Sequence, residues 1–155
     1  MPDNPRLTIP VLLGTIRAGR RSAHVAQLLL GRLEGRDEVA TALIDLADLD
    51  LPVMRQRLGE SDAPPPGAVG LSEKLSCADG LVIVAPEYKN GYPGSLKNAF
   101  DYLPAGILRR KPIGIVTVSS GGFGASGVEG INGSRILRPR RVGSPGPART
   151  RSTRR

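Results

Sequence analysis

The stretch LTIPVLL (7–13) is apolar along nearly its whole length, follows a Pro-rich lead and is too short for an ordinary helix, so it predicts a buried strand. From Ser22 the period changes. Val25, Leu28, Leu29 and Leu33 fall on one helical face, Ala26 and Leu30 widen it, Ser22 stands at the N-cap and Gly35 at the end. Residues 39–46 alternate and predict a second strand running into the loop ADLDLPVM, which Pro52 keeps from being helical throughout. SDAPPPGAVG (61–70) reads as a surface loop from its consecutive prolines, and residues 68–77 as a short helix. LVIVA (81–85), bounded by Asp79-Gly80 and Pro86, gives the strongest strand signal and predicts a strand covered on both faces. Residues 95–103 predict a helix capped by Ser95, and IGIVTV (113–118) a further buried strand ending in SSGGFG.

This alternation of four strands with helices is the pattern of an α/β fold built on a parallel sheet. In an open sheet of that kind, ligands bind outside the carboxyl ends of the strands. The segments after residues 13, 85 and 118 are rich in Gly, Ser, Thr, Arg or Tyr, and function is expected there.

Length and charge refine the picture. The chain of 155 residues has room for one domain. Its net charge of +8 would point to nucleic acid if it were spread over the fold. It is not: residues 131–155 hold eight Arg and no acid, leaving 14 basic and 14 acidic side chains in residues 1–130. We therefore expect a neutral domain over 1–130 and a disordered Arg-rich tail over 131–155, with too little apolar surface to offset its ordering entropy. A lone Cys77 excludes an internal disulfide, and with His24 as the one histidine no metal site is expected. There is no run of about 18 apolar residues and no signal-peptide pattern at the N-terminus, so a cytoplasmic protein is expected.

The first of the three loops reads GTIRAGRRS (14–22). Gly14 and Gly19 have the spacing of a nucleoside-triphosphate loop, but Arg20 and Arg21 stand where that chemistry needs Lys and then a hydroxyl for magnesium. No GxGxxG follows the first strand, which argues against a dinucleotide laid across the sheet. Thr15, Arg17 and Ser22, beside helix N-terminal amides, suit a monophosphate. A solvated basic loop that only caps the helix fits this segment equally well.

The second loop adds chemistry. Of the five aromatics, Tyr88, Tyr92 and Phe123 lie in loops at strand ends, where they either plug the sheet or shelter a flat ring. Gly91, Gly94, Gly121 and Gly122 would let backbone approach such a ring closely. Lys97 and Asp101 are read as a helical i, i+4 pair, and Asn98 beside them as structural.

Taken together, GTIRAGRRS, PEYKNGYPGSLKNAFDYL and SSGGFG resemble the NADPH-dependent FMN reductases of the flavodoxin-like fold, over roughly residues 7–124. The resemblance implies a three-layer α/β/α domain that binds FMN and passes hydride from NADPH to flavin, quinone or a similar small acceptor, as a homodimer or homotetramer. It implies that Thr15, Arg17 and Ser22 bind the FMN phosphate, that Pro86, Glu87, Tyr88, Lys89 and Gly91 line the ribityl chain and ring, and that Ser119, Gly121 and Gly122 close the site. No catalytic side chain is required, because the hydride chemistry belongs to the cofactor. An FMN-binding electron carrier without nicotinamide turnover is the alternative, and a third reading is an inactive domain whose basic tail binds polyanions. The family's fifth strand and last helix have no counterpart after Gly124, and the abrupt change of composition is read as a truncation or a change of reading frame near residue 125.

Overall fold

The computed structural model describes residues 6–119. Its elements are β1 (Leu7–Thr8), β2 (Val11–Leu13), α1 (Ser22–Glu34), β3 (Val39–Ala40), β4 (Leu43–Asp45), α2 (Pro66–Ser76), β5 (Leu81–Pro86), α3 (Gly94–Tyr102) and β6 (Ile113–Val118), with short 3-10 turns at Leu46–Leu49 and Leu58–Glu60. The strands β4-β2-β5-β6 form a parallel sheet, and β1 pairs with β3, also in parallel. The expected strand-and-helix alternation is present. The segment after Ser119, including the proposed truncation and the Arg-rich tail, lies outside the described residues. Among those described, no helix is long and apolar enough to cross a membrane.

Two expected strands are each split in two, and Pro10 shows why for the first. The amides of Leu7, Ile9 and Val11 donate in turn to the carbonyls of Glu38, Ala40 and Ala42 at 2.8, 2.8 and 2.9 Å, so one edge of the segment is continuous. On the other edge the Thr8 amide donates to the Asp79 carboxylate at 2.7 Å, and Pro10 has no N–H to offer. The ladder to β5 resumes where the Val82 amide donates to the Pro10 carbonyl at 3.0 Å. Opposite this point, Thr41 lies between β3 and β4 and its hydroxyl donates to the Ile9 carbonyl at 2.7 Å.

Strand side chains alternate between two apolar layers. Leu12, Leu81, Ile83, Ala85, Ile113 and Ile115 share one core with Leu71 and Leu75 of α2 and Leu96 and Ala99 of α3. Val11, Leu13 and Val84 face the other way onto Ala26 of α1, with Val82, Val116 and Val118 half-buried at its margin. Sheet residues buried from both sides explain why VLL and LVIVA carry no polar residue. Full burial of each large aliphatic side chain contributes about 1.5–3 kcal/mol.

The helix starts differ from expectation. Ser22 is the first residue of α1, the cap position falls on Arg21, and no side chain caps it. Ser95 lies inside α3, whose cap position is Pro93. The proline-rich stretch is helical from Pro66, because a proline in the first turn lacks only an amide that would be unpaired there anyway. Gly67 then lets α2 press against the 3-10 turn at Leu46–Leu49: a Cβ at this position would stand 1.9 Å from the Leu49 carbonyl oxygen. Gly67→Ala is therefore expected to lower stability by about 2 kcal/mol or more, a fall of several degrees in thermal denaturation. Gly31→Ala, with open space around its Cβ on α1, should be neutral or slightly stabilising.

Candidate functional site

The chain leaves β2 through α1 toward β4 and returns through α2 to β5 on the opposite side of β2. The carboxyl ends of β2 and β5 thus form the switch point at which an open α/β sheet splays its loops into a crevice. The loops that leave here are 14–21 and 87–93.

Gly14 fixes the first loop against the sheet. Its amide donates to the Val84 carbonyl at 2.8 Å, one residue past the end of β2. Its own carbonyl accepts from Ser95 Oγ at 3.2 Å, which gives the hydroxyl inside α3 its role. A Cβ on Gly14 would stand 3.1 and 3.3 Å from the Leu96 methyls, closer than ordinary packing allows. Thr15 follows, 1% exposed. Its Oγ1 accepts from the Arg17 amide at 3.3 Å and shares a hydrogen bond with the Tyr88 hydroxyl at 2.8 Å. The two hydroxyls own two hydrogens and use one between them, so one O–H is left to donate elsewhere.

At the far end of the loop Gly19 adopts φ +66°, and α1 begins three residues later. Ser22 is 2% exposed, and its buried Oγ has no hydrogen-bond partner. Such a group is uncommon in a native interior and calls for a reason. Here it sits in the first turn of a 13-residue helix, where backbone amides and the helix dipole favour an anion. Arg17 and Arg21 are exposed on the same loop, while Arg20 forms an ion pair with Asp45 at the end of β4.

The second loop is a two-residue hairpin. The Tyr88 amide donates to the Gly91 carbonyl at 2.8 Å and the Gly91 amide to the Tyr88 carbonyl at 3.0 Å. Lys89 and Asn90 at its tip have φ of 51° and 60°, the left-handed pair that the favoured primed turns require. Asparagine tolerates this region better than lysine does, so Lys89 is the strained member. Pro86 is buried, Glu87 is half-buried with its amide donating to Val118 at 3.2 Å, and Ser119 follows β6. Tyr92 packs on the core, the plug reading of that aromatic.

Of the residues expected at the site, Thr15 and Tyr88 are in direct contact, and Ser22 is buried at the start of α1 as an unpaired hydroxyl in place of the expected cap. Gly121, Gly122 and Phe123 lie outside the described residues. Lys97 and Asp101 form the expected i, i+4 pair. Asn98 braces the 52–54 segment: Oδ1 accepts from the Met54 amide and Nδ2 donates to the Pro52 carbonyl, each at 2.8 Å.

The sequence profile of the NADPH-dependent FMN reductase family matches residues 7–130. The chain belongs to this family. A quinone reductase of Escherichia coli K12 is 36% identical over 124 residues, covering 78% of this chain and 64% of that protein. An NADPH azoreductase of Bacillus sp. is 32% identical over 126 residues, covering 81% and 65%. The chain therefore spans a little under two thirds of the length of these curated relatives. Among solved structures, FerB, an NAD(P)H:(acceptor) oxidoreductase from Paracoccus denitrificans, superposes with a TM-score of 0.62 at 28% identity, covering 75% of this chain and 63% of the other. The apo form of an NADH:FMN oxidoreductase superposes at 0.64 with 24% identity, covering 75% and 60%, which supports the flavodoxin-like fold.

Two long-range partnerships at this site were outside the sequence reading. Asp45 closes the second expected strand, and in a parallel sheet the carboxyl ends of neighbouring strands lie side by side; that was the available signal for its pairing with the β2 loop. Nothing local pointed to Ser95 as the partner of Gly14. Tyr88→Phe should cost about 1 kcal/mol of stability through loss of the cross-loop hydrogen bond. Thr15→Val, which removes both bonds made by that oxygen, should cost more. Urea denaturation of the three proteins measures the order, and equal stabilities would contradict the coupling of the loops.

Proposed function

We propose that the chain is an FMN-dependent NAD(P)H oxidoreductase that reduces a small acceptor such as a free flavin or a quinone. The observation that carries the reading is the unpaired, buried Ser22 hydroxyl at the start of α1, directly after the loop that leaves the carboxyl end of β2. A terminal monophosphate dianion fits this set of groups. Ser22 and the spare hydroxyl hydrogen of the Thr15–Tyr88 pair would donate to it, Arg17 would balance its charge, and the first amides of α1 would complete the cradle.

Pro86, Glu87, Tyr88, Lys89 and Gly91 would line the ribityl chain and ring, and Ser119, Gly121 and Gly122 would close the site. The hairpin at Tyr88–Gly91 supports this, because its backbone is rigid and leaves the Lys89 and Asn90 amides outside its own hydrogen-bonded pair. Bound FMN supplies the hydride-accepting ring. The protein's share is to fix the phosphate end, shelter one face of the ring and keep water from it; no acid–base side chain is assigned. The curated relatives, named as quinone and azo reductases, favour turnover of a nicotinamide over a carrier role. A cytoplasmic homodimer or homotetramer completes the reading and rests on the family resemblance and on composition.

The purified protein is expected to show flavin absorbance between about 350 and 500 nm after reconstitution with FMN and desalting, and to oxidise NADPH steadily with a quinone or ferricyanide as acceptor. Retained flavin without NADPH oxidation would favour the carrier, and failure to retain flavin would overturn the assignment.

A further inference from the structure

Among the described residues two buried side-chain polar atoms lack a hydrogen-bond partner, Ser22 Oγ and Arg20 Nε. They are two residues apart on the loop that opens α1. Arg20 is held from one side only. Its Nη2 is paired with Asp45 Oδ2, and Asp45 Oδ1 in turn accepts from the Ala47 amide at 2.9 Å. The side chains of the pair are 18% and 15% exposed, so the guanidinium is largely withdrawn from water while one of its N–H groups goes unused. Guanidinium donors lie in a rigid plane, and anchoring Nη2 therefore fixes the direction of Nε–H as well. A surface ion pair formed for charge balance alone would leave Nε–H to water.

We infer that Arg20 is a phosphate-recognition residue, its Nε–H donating to the same monophosphate as Ser22 while Asp45 holds the other end of the guanidinium. This rests on the reading of the crevice as an FMN site and adds to it a determinant of selectivity for phosphorylated over unphosphorylated flavin. In the sequence Arg20 stands where a triphosphate loop needs Lys. Its paired position makes it a donor suited to a compact dianion, with charge already offset by Asp45, so that discrimination comes from a directed hydrogen bond as well as from Coulomb attraction.

The test compares the binding of FMN and riboflavin by quenching of flavin fluorescence, in the wild-type chain and in Arg20→Lys, which keeps the positive charge for Asp45 and lacks the Nε donor. Wild type should bind FMN more tightly than riboflavin. In Arg20→Lys the dissociation constant for FMN should rise roughly tenfold or more, with that for riboflavin within about twofold of wild type. Arg20→Met, which removes every donor, should show the same one-sided loss and serves where lysine disturbs the loop. If both flavins weaken equally, Arg20 is only structural and the inference fails; if FMN binding is unchanged, it fails as well. If wild type itself does not distinguish FMN from riboflavin, the monophosphate reading of the crevice fails with it.

Discussion

The hydrogen bond between Thr15 and Tyr88 joins two loops that are 73 residues apart in the chain, and the geometry of the crevice depends on it. Each loop is anchored at its own root: Gly14 by Val84 and Ser95, Glu87 by Val118. The Thr15–Tyr88 hydrogen bond then joins the two loops directly. It can form because β2 and β5 are neighbours in register, Leu13 opposite Val84, so their carboxyl ends release the loops side by side. The absence of a side chain on Gly14 lets the first loop start hard against Leu96. Packing in the interior thus fixes the position of polar groups at the surface.

The electrostatics of the crevice are local. Residues 1–130 carry equal numbers of basic and acidic side chains, and the basic excess lies in residues 131–155. What favours an anion at the crevice is one loop with three arginines followed by a helix N-terminus, and one of those arginines is already matched by Asp45. Pairing Arg20 in this way limits repulsion among the three cations while keeping guanidinium donors at the site. The same loop that fails as a triphosphate motif offers the donors that the proposed single phosphate would need.

How much of this was legible follows from how local each feature is. LVIVA and VLL announced central strands because both faces are buried, and the strand-helix alternation carried the fold class. The division of residues 7–13 into two strands depended on where a missing proline amide would fall relative to Asp79, which the run of apolar residues does not encode. Ser22 and Ser95 look like helix caps in sequence; each stands inside its helix, Ser95 with its hydroxyl bonded to the Gly14 carbonyl and Ser22 with a buried hydroxyl that has no partner. Partners distant in sequence, such as Asp45 for Arg20 and Pro52 for Asn98, needed the folded chain. The resemblance implies a phosphate role for Thr15 and a separate ribityl or ring role for Tyr88, and their contact is visible only in the folded chain.

In a crystal structure of the chain grown with FMN, the phosphate is expected at the first turn of α1, within hydrogen-bond reach of the Ser22 hydroxyl and of the Thr15–Tyr88 pair. A flavin phosphate seated away from α1, with Ser22 Oγ still unpaired, would contradict that expectation.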